Sequence, residues 1–102
     1  MVKLKSIKPS TDKSKKLTAV FDVNGKEKSV SFGSAPNKDF TIYSKEDKAL
    51  AEQKKKAYIA RHKVNENWNN PMTAGALSRY VLWNKPTVQA SIQDFKKKFN
   101  LS

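Results

Sequence analysis

The chain has 102 residues, with 21 Lys or Arg against 9 Asp or Glu, one His, a formal net charge of +12 and a pI near 10.0. This length suits one domain over residues 1–102 with one modest core. The lack of cysteine excludes a disulfide scaffold, a thiolate zinc site and a thiol nucleophile, and the single histidine excludes multi-His metal sites.

Residues 1–43 read as the β part. Val2-Lys3-Leu4-Lys5 alternates apolar and polar, as a half-buried strand does. The same opening residues lack the apolar stretch of a secretory signal. No apolar run nears the roughly 18 residues of a membrane span. The expected setting is therefore inside a cell, or within something assembled there. Pro9 to Ser14 reads as a loop.

Leu17, Ala19, Phe21 and Val23 then alternate with Thr18, Val20 and Asp22, and Asn24-Gly25 follows. Asn-Gly is the preferred pair for a type I′ hairpin, because both residues accept positive φ. A two-residue loop sets Leu17 opposite Phe32 and Ala19 opposite Val30, so register and hydrophobicity agree. It also sets Asp22 against Glu27, a like-charge cost. A three-residue loop would pair Asp22 with Lys26 instead, so both registers stay open. Gly33 to Lys38 reads as loop, and Phe40-Thr41-Ile42-Tyr43 as a short fourth strand.

Residues 44–102 read as the helical part. Ser44 is the expected N-cap of a helix over about 45–63, with Glu46 and Asp47 in its first turn. Its apolar stripe comprises Ala49, Leu50, Ala57, Ala60 and Val64, while Tyr58 and Ile59 fall off it. Either a second face of this helix is covered, or those two side chains meet a partner. After an Asn-rich break at 65–70, Asn70 and Pro71 suit the cap and first turn of a second helix. On it Ala76, Leu77, Tyr80 and Val81 share a face, with Trp83 at the edge. The last helix is the most regular, with Val88, Ile92, Phe95 and Phe99 at one helical face. The fold class is α+β: a small antiparallel sheet of three to four strands, followed by three helices packed on one face. The inner residues of the hairpin should meet Ile92, Phe95 and Phe99.

Catalysis finds little to work with. His62 stands between Arg61 and Lys63, and Glu66 has no second carboxylate in a compelling relation to it. The three glycines are too far apart for a phosphate loop. No enzymatic activity, cofactor or small-molecule substrate is expected. Three lysine clusters are candidate contacts for nucleic acid or another polyanion: Lys13, Lys15 and Lys16; Lys54, Lys55 and Lys56; Lys96, Lys97 and Lys98. Lysine outnumbers arginine 19 to two, which disfavours base-specific reading by guanidinium forks. The segment carrying both tryptophans is the candidate protein-contact region, with Tyr58, Ile59, Arg61, Trp68, Arg79 and Trp83 as its residues.

Tyr58 to Lys63, Glu66-Asn67-Trp68, Pro71 to Tyr80, Leu82 to Thr87 and Ser91-Ile92 together resemble a family of small basic proteins of nucleocytoplasmic large DNA viruses, of the mimivirus and phycodnavirus kind. The hairpin from Val20 to Gly33 fits the same pattern. The resemblance implies a viral source and a place in the virion, assembled in the host cytoplasm. It implies no mechanism. The expectation is a non-enzymatic structural component of the particle, minor capsid or internal, with other virion proteins as partners and DNA or an anionic surface as a further one. The alternative is a nucleic-acid-binding protein without strong sequence preference.

Overall fold

The computed structural model describes residues 2–35, 38–64 and 68–101. Strands β1 (Val2–Pro9), β2 (Lys15–Val23) and β3 (Lys26–Ser34) form an antiparallel sheet in the order β1-β2-β3. Helices α1 (Phe40–Glu46), α2 (Lys48–His62), α3 (Ala74–Leu77) and α4 (Val88–Lys98) follow, and α3 continues as a π-helical segment over Ser78–Leu82. The architecture is α+β. Among the described residues no helix is long and apolar enough to cross a membrane.

The hairpin takes the two-residue loop. Val23 pairs with Lys26, and Asn24 and Gly25 have φ of 55° and 87°. The Gly25 N–H donates to Asp22 Oδ1 at 2.8 Å. Asp22 faces Glu27, and Lys5 reaches across from β1 to Glu27 at 3.3 Å. This exposed cation offsets the like-charge pair.

One irregularity lets β1 turn buried Leu4 and half-buried Val2 and Ile7 toward the core. Leu4 pairs with Phe21 and Ile7 with Ala19, an odd spacing on β1 against an even one on β2. A register shift between Leu4 and Ser6 absorbs the extra residue. Without it, Ile7 would point away from the core.

The core joins Leu4, Ala19, Phe21 and Phe32 of the sheet to Leu77, Val81, Leu82 and Phe95. Ile92 and Phe99 pack against it, as the regular stripe of α4 requires. Leu77 and Leu82 are five residues apart, well off one another's face in an α-helix. The π segment, whose Trp83 N–H donates to Ser78 O, widens the turn so that both point inward.

Four local expectations are corrected. Phe40 to Tyr43 is helix, not strand, because Asp39 caps it: its carboxylate accepts from the Thr41 and Ile42 N–H groups. The N-cap of the long helix is Asp47 rather than Ser44, and Asp47 also ends α1. The inward stripe of α2 is buried Ala51 and Tyr58 with half-buried Lys55 and His62, not the alanine-rich face, where Ala49, Ala57, Ala60 and Val64 are exposed and Leu50 is half-buried. Large rings and a lysine stem outweigh methyl groups in deciding which side turns inward. Helix α3 is capped by Thr73, whose hydroxyl accepts from the Ala76 N–H, and Asn70 makes a turn ahead of it with Met72. Residues 36–37 and 65–67, including Glu66, lie outside the described residues.

Candidate functional site

Helices α1 and α2 add no side chain to the main core. They pack on each other and join the body through three polar or aromatic links. Between them, the Lys15–Ser34 end of the hairpin and the start of α3 lies an open cleft of about 570 Å³.

Its first link is the ion pair Lys16 Nζ–Asp39 Oδ2, at 2.6 Å, with side chains 16% and 5% exposed. Asp39 is thus fully engaged: one oxygen takes the lysine, and the other takes the α1 cap bonds and the Thr41 hydroxyl. It is the one carboxylate among the described residues that line the cleft.

The second link is a stack of rings. Trp83 lies 4.6 Å from Tyr58 at an interplanar angle of 7°, and His62 covers the other face of Tyr58 at 4.3 Å. Tyr43 of α1 sits 6.3 Å from Trp83, tilted by 44°. These rings form the wall that α1, α2 and the π segment share.

The third link fixes Trp83 from behind. Arg79 Nη1 donates to the Trp83 carbonyl at 2.7 Å, and Lys55 Nζ donates to the Asn84 carbonyl at 2.8 Å. Asn84 Nδ2 in turn donates to Asp94 at 2.7 Å, and the Lys85 N–H donates to buried Ser91 Oγ at 2.9 Å. Burial pushes the Arg79 guanidinium below its ordinary value, while Tyr80, Tyr58 and Asp94 pull it back. Burial also lowers Lys55, and the Arg79 cation adds to that. Both cations therefore serve as internal donors, consistent with their half-buried positions.

The lysine clusters separate accordingly. Lys15 and Lys54 are exposed on the cleft rim, Lys16 is held by Asp39, and Lys13 stands in the exposed β1–β2 loop. Lys55 points inward and Lys56 outward. Lys96, Lys97 and Lys98 lie on α4 and do not line the cleft, and Lys98 sits 5.1 Å from the Tyr80 ring centre. Of the residues expected to contact protein, Arg61 lines the cleft, Tyr58 is buried and Ile59 is half-buried. Trp68 is half-buried, with Arg79 5.6 Å from its ring centre. Arg79 and Trp83 are bonded to one another rather than offered together to solvent. Tyr43, Lys38, Ser34 and Ser78 line the cleft and were not singled out from sequence. The signal for Tyr43 was Asp39, whose capping makes residues 40–46 a helix and sets Tyr43 beside Lys54 of α2, while Lys38 Nζ pairs with Glu46 of α1 at 2.8 Å.

Electrostatically the cleft is one-sided. Five cationic side chains line it against the one neutralised carboxylate. Lys15, Lys54 and Arg61 have no carboxylate within 4 Å among the described residues. A concave wall carrying like charge concentrates anions. Comparison with known proteins finds no matching family model, no matching curated protein and no matching solved structure.

Proposed function

We propose that this chain is a non-enzymatic protein that binds nucleic acid without strong sequence preference, holding phosphates along the cleft. The observation that carries the reading is the convergence of Lys15, Lys54 and Arg61 on one concave surface whose carboxylate is already spent on Lys16. Two segments far apart in sequence, β2 and α2, supply these cations, so the fold gathers them. The 19-to-two excess of lysine over arginine suits phosphate neutralisation more than base-edge reading. His62 stacks on Tyr58 and Asp39 is bonded at both oxygens, an arrangement that supports a binding cleft over an acid–base pair.

A place in a large-DNA-virus particle, beside packaged genome and other virion proteins, is the setting suggested by the resemblance carried by residues 58–92. Mass spectrometry of purified particles would find the chain at fixed stoichiometry on that reading and would miss it otherwise.

The binding reading is tested by fluorescence anisotropy with a labelled oligonucleotide of mixed sequence across a salt series. Affinity should fall steeply with salt. The variant Lys15→Gln/Lys54→Gln/Arg61→Gln should flatten the log–log slope by about 2 to 3, at roughly 0.7–0.9 per lost phosphate contact. Lys96→Gln/Lys97→Gln/Lys98→Gln should change it less. No binding by the parent chain, or equal flattening in both variants, would refute the cleft as the site.

A further inference from the structure

The cleft holds more than charge. Tyr43 and Trp83 are both half-buried and both line it, and their rings are tilted by 44° rather than stacked on each other. The ammonium groups of Lys38 and Lys54 stand 5.8 and 5.9 Å from the Tyr43 ring centre. Lys38 is also paired with Glu46 at 2.8 Å, whereas Lys54 has no carboxylate within 4 Å among the described residues. A base laid on the Tyr43 ring takes the place of the ammonium groups there, and the exposed Lys54 side chain is long enough to swing from the ring face to the adjoining phosphate.

A duplex cannot use such a ring. Its base faces are covered by neighbouring pairs, and only its grooves and backbone are presented. An unpaired strand offers both a backbone for the cations and π-faces for the rings, and stacking of this kind tolerates any base. The cleft is also concave and bounded on three sides, by the hairpin end, by α1 with α2, and by α3. A flexible strand can enter it, whereas a convex, stiff duplex meets only the rim. We infer that the preferred ligand is an unpaired polynucleotide strand, with Tyr43 as a stacking platform and Lys54 on the adjoining phosphate; this rests on the nucleic-acid reading of the same cleft.

The background that makes this possible is the rigidity of the wall behind the ligand. Tyr58, stacked between Trp83 and His62, is a spacer that sets how far Trp83 stands from α2. Arg79 and Lys55 hold the backbone on either side of the Trp83–Asn84 peptide. The Trp83 side of the cleft is therefore set before ligand arrives, which lowers the ordering cost of binding.

The test uses the full chain and two labelled probes, an oligothymidylate about a dozen residues long and a mixed-sequence duplex of equal length, at one fixed salt concentration. The oligothymidylate should bind at least about tenfold more tightly. Tyr43→Leu should remove about tenfold of that affinity and leave duplex binding unchanged, while Tyr43→Phe keeps it. Equal binding of the two probes by the parent chain would overturn the single-strand assignment yet leave the nucleic-acid reading standing. Binding of neither would overturn both. An oligothymidylate affinity untouched by Tyr43→Leu would remove Tyr43 as the platform and overturn the proposal. Should Tyr43→Leu fail to fold, the parent's ratio between the two probes still decides the strand preference.

Discussion

Asp39→Asn separates the stability of the cleft from its charge. Asparagine caps a helix about as well as aspartate, so the bonds to the Thr41 and Ile42 N–H groups are retained. What is lost is the partner of Lys16, in a pair whose lysine is 16% and whose aspartate is 5% exposed. Stranding one member of a buried pair costs about 3–5 kcal/mol. Lys16 can turn its head toward the water of the cleft, which relieves part of that, leaving about 2–3 kcal/mol. Asp39→Ala should cost about 1 kcal/mol more, the worth of the cap. Lys16→Met/Asp39→Asn should recover most of the loss, because no charge is left unpaired. Urea denaturation followed by circular dichroism measures each value from the midpoint and slope. At the same time Asp39→Asn releases Lys16 into the cleft, so the salt slope for oligonucleotide binding should steepen by up to ~0.9. The same substitution thus weakens the fold and strengthens the grip. A loss below about 0.5 kcal/mol, within the range of an exposed pair, would show that the pair is screened by solvent and that the reasoning from burial is wrong.

Phe95 is fully buried at the centre of the core, and Phe95→Ala should cost about 3–5 kcal/mol by the same denaturation assay. Gly33 has φ of 82°, and a Cβ there would stand 2.6 Å from Leu82 Cδ1 and 3.2 Å from Lys16 Cβ. Gly33→Ala should therefore lose about 2–4 kcal/mol from backbone strain and overpacking together, read as a lower thermal midpoint. Lys54→Gln should flatten the salt slope of oligonucleotide binding by up to ~0.9, whereas Lys55→Gln should leave the slope alone and lower stability, because Lys55 is bonded to Asn84. Burial lowers Lys55, so folding favours its neutral form. The charge penalty is present in full well below the folded pKa and fades as pH rises toward 10.5. The stability difference between the parent chain and Lys55→Met should accordingly move in the parent's favour between neutral and alkaline pH.

The regular elements were legible in the sequence, and the irregular ones were not. The Asn24-Gly25 turn and the α4 stripe obey fixed periods, so their register and buried faces follow from spacing alone. Ile7 and Leu82 were missed for one reason: each faces the core only because an extra residue is accommodated, by the bulge in β1 and by the π segment. Residues 40–43 misled because Phe, Thr, Ile and Tyr favour strands by composition, while the capping carboxylate at Asp39 and its bond to Lys16 decide the local structure. The lysine runs of the sequence pointed to polyanion contact but not to its place. The fold splits the 54–56 run, sending Lys54 to the cleft and Lys55 to the interior, since adjacent helical residues point about 100° apart. The cleft itself joins residues from positions 15 to 83, a relation that tertiary structure alone supplies.

Nuclear magnetic resonance titration of the isotope-labelled chain with an oligothymidylate tests the account most directly, because each backbone amide reports its own surroundings. The largest shifts should fall on Lys15, Ser34, Tyr43, Lys54, Arg61 and Ser78, which line the cleft. Shifts gathered instead on Lys96, Lys97 and Lys98 of α4, or spread evenly over the lysines of the surface, would contradict it.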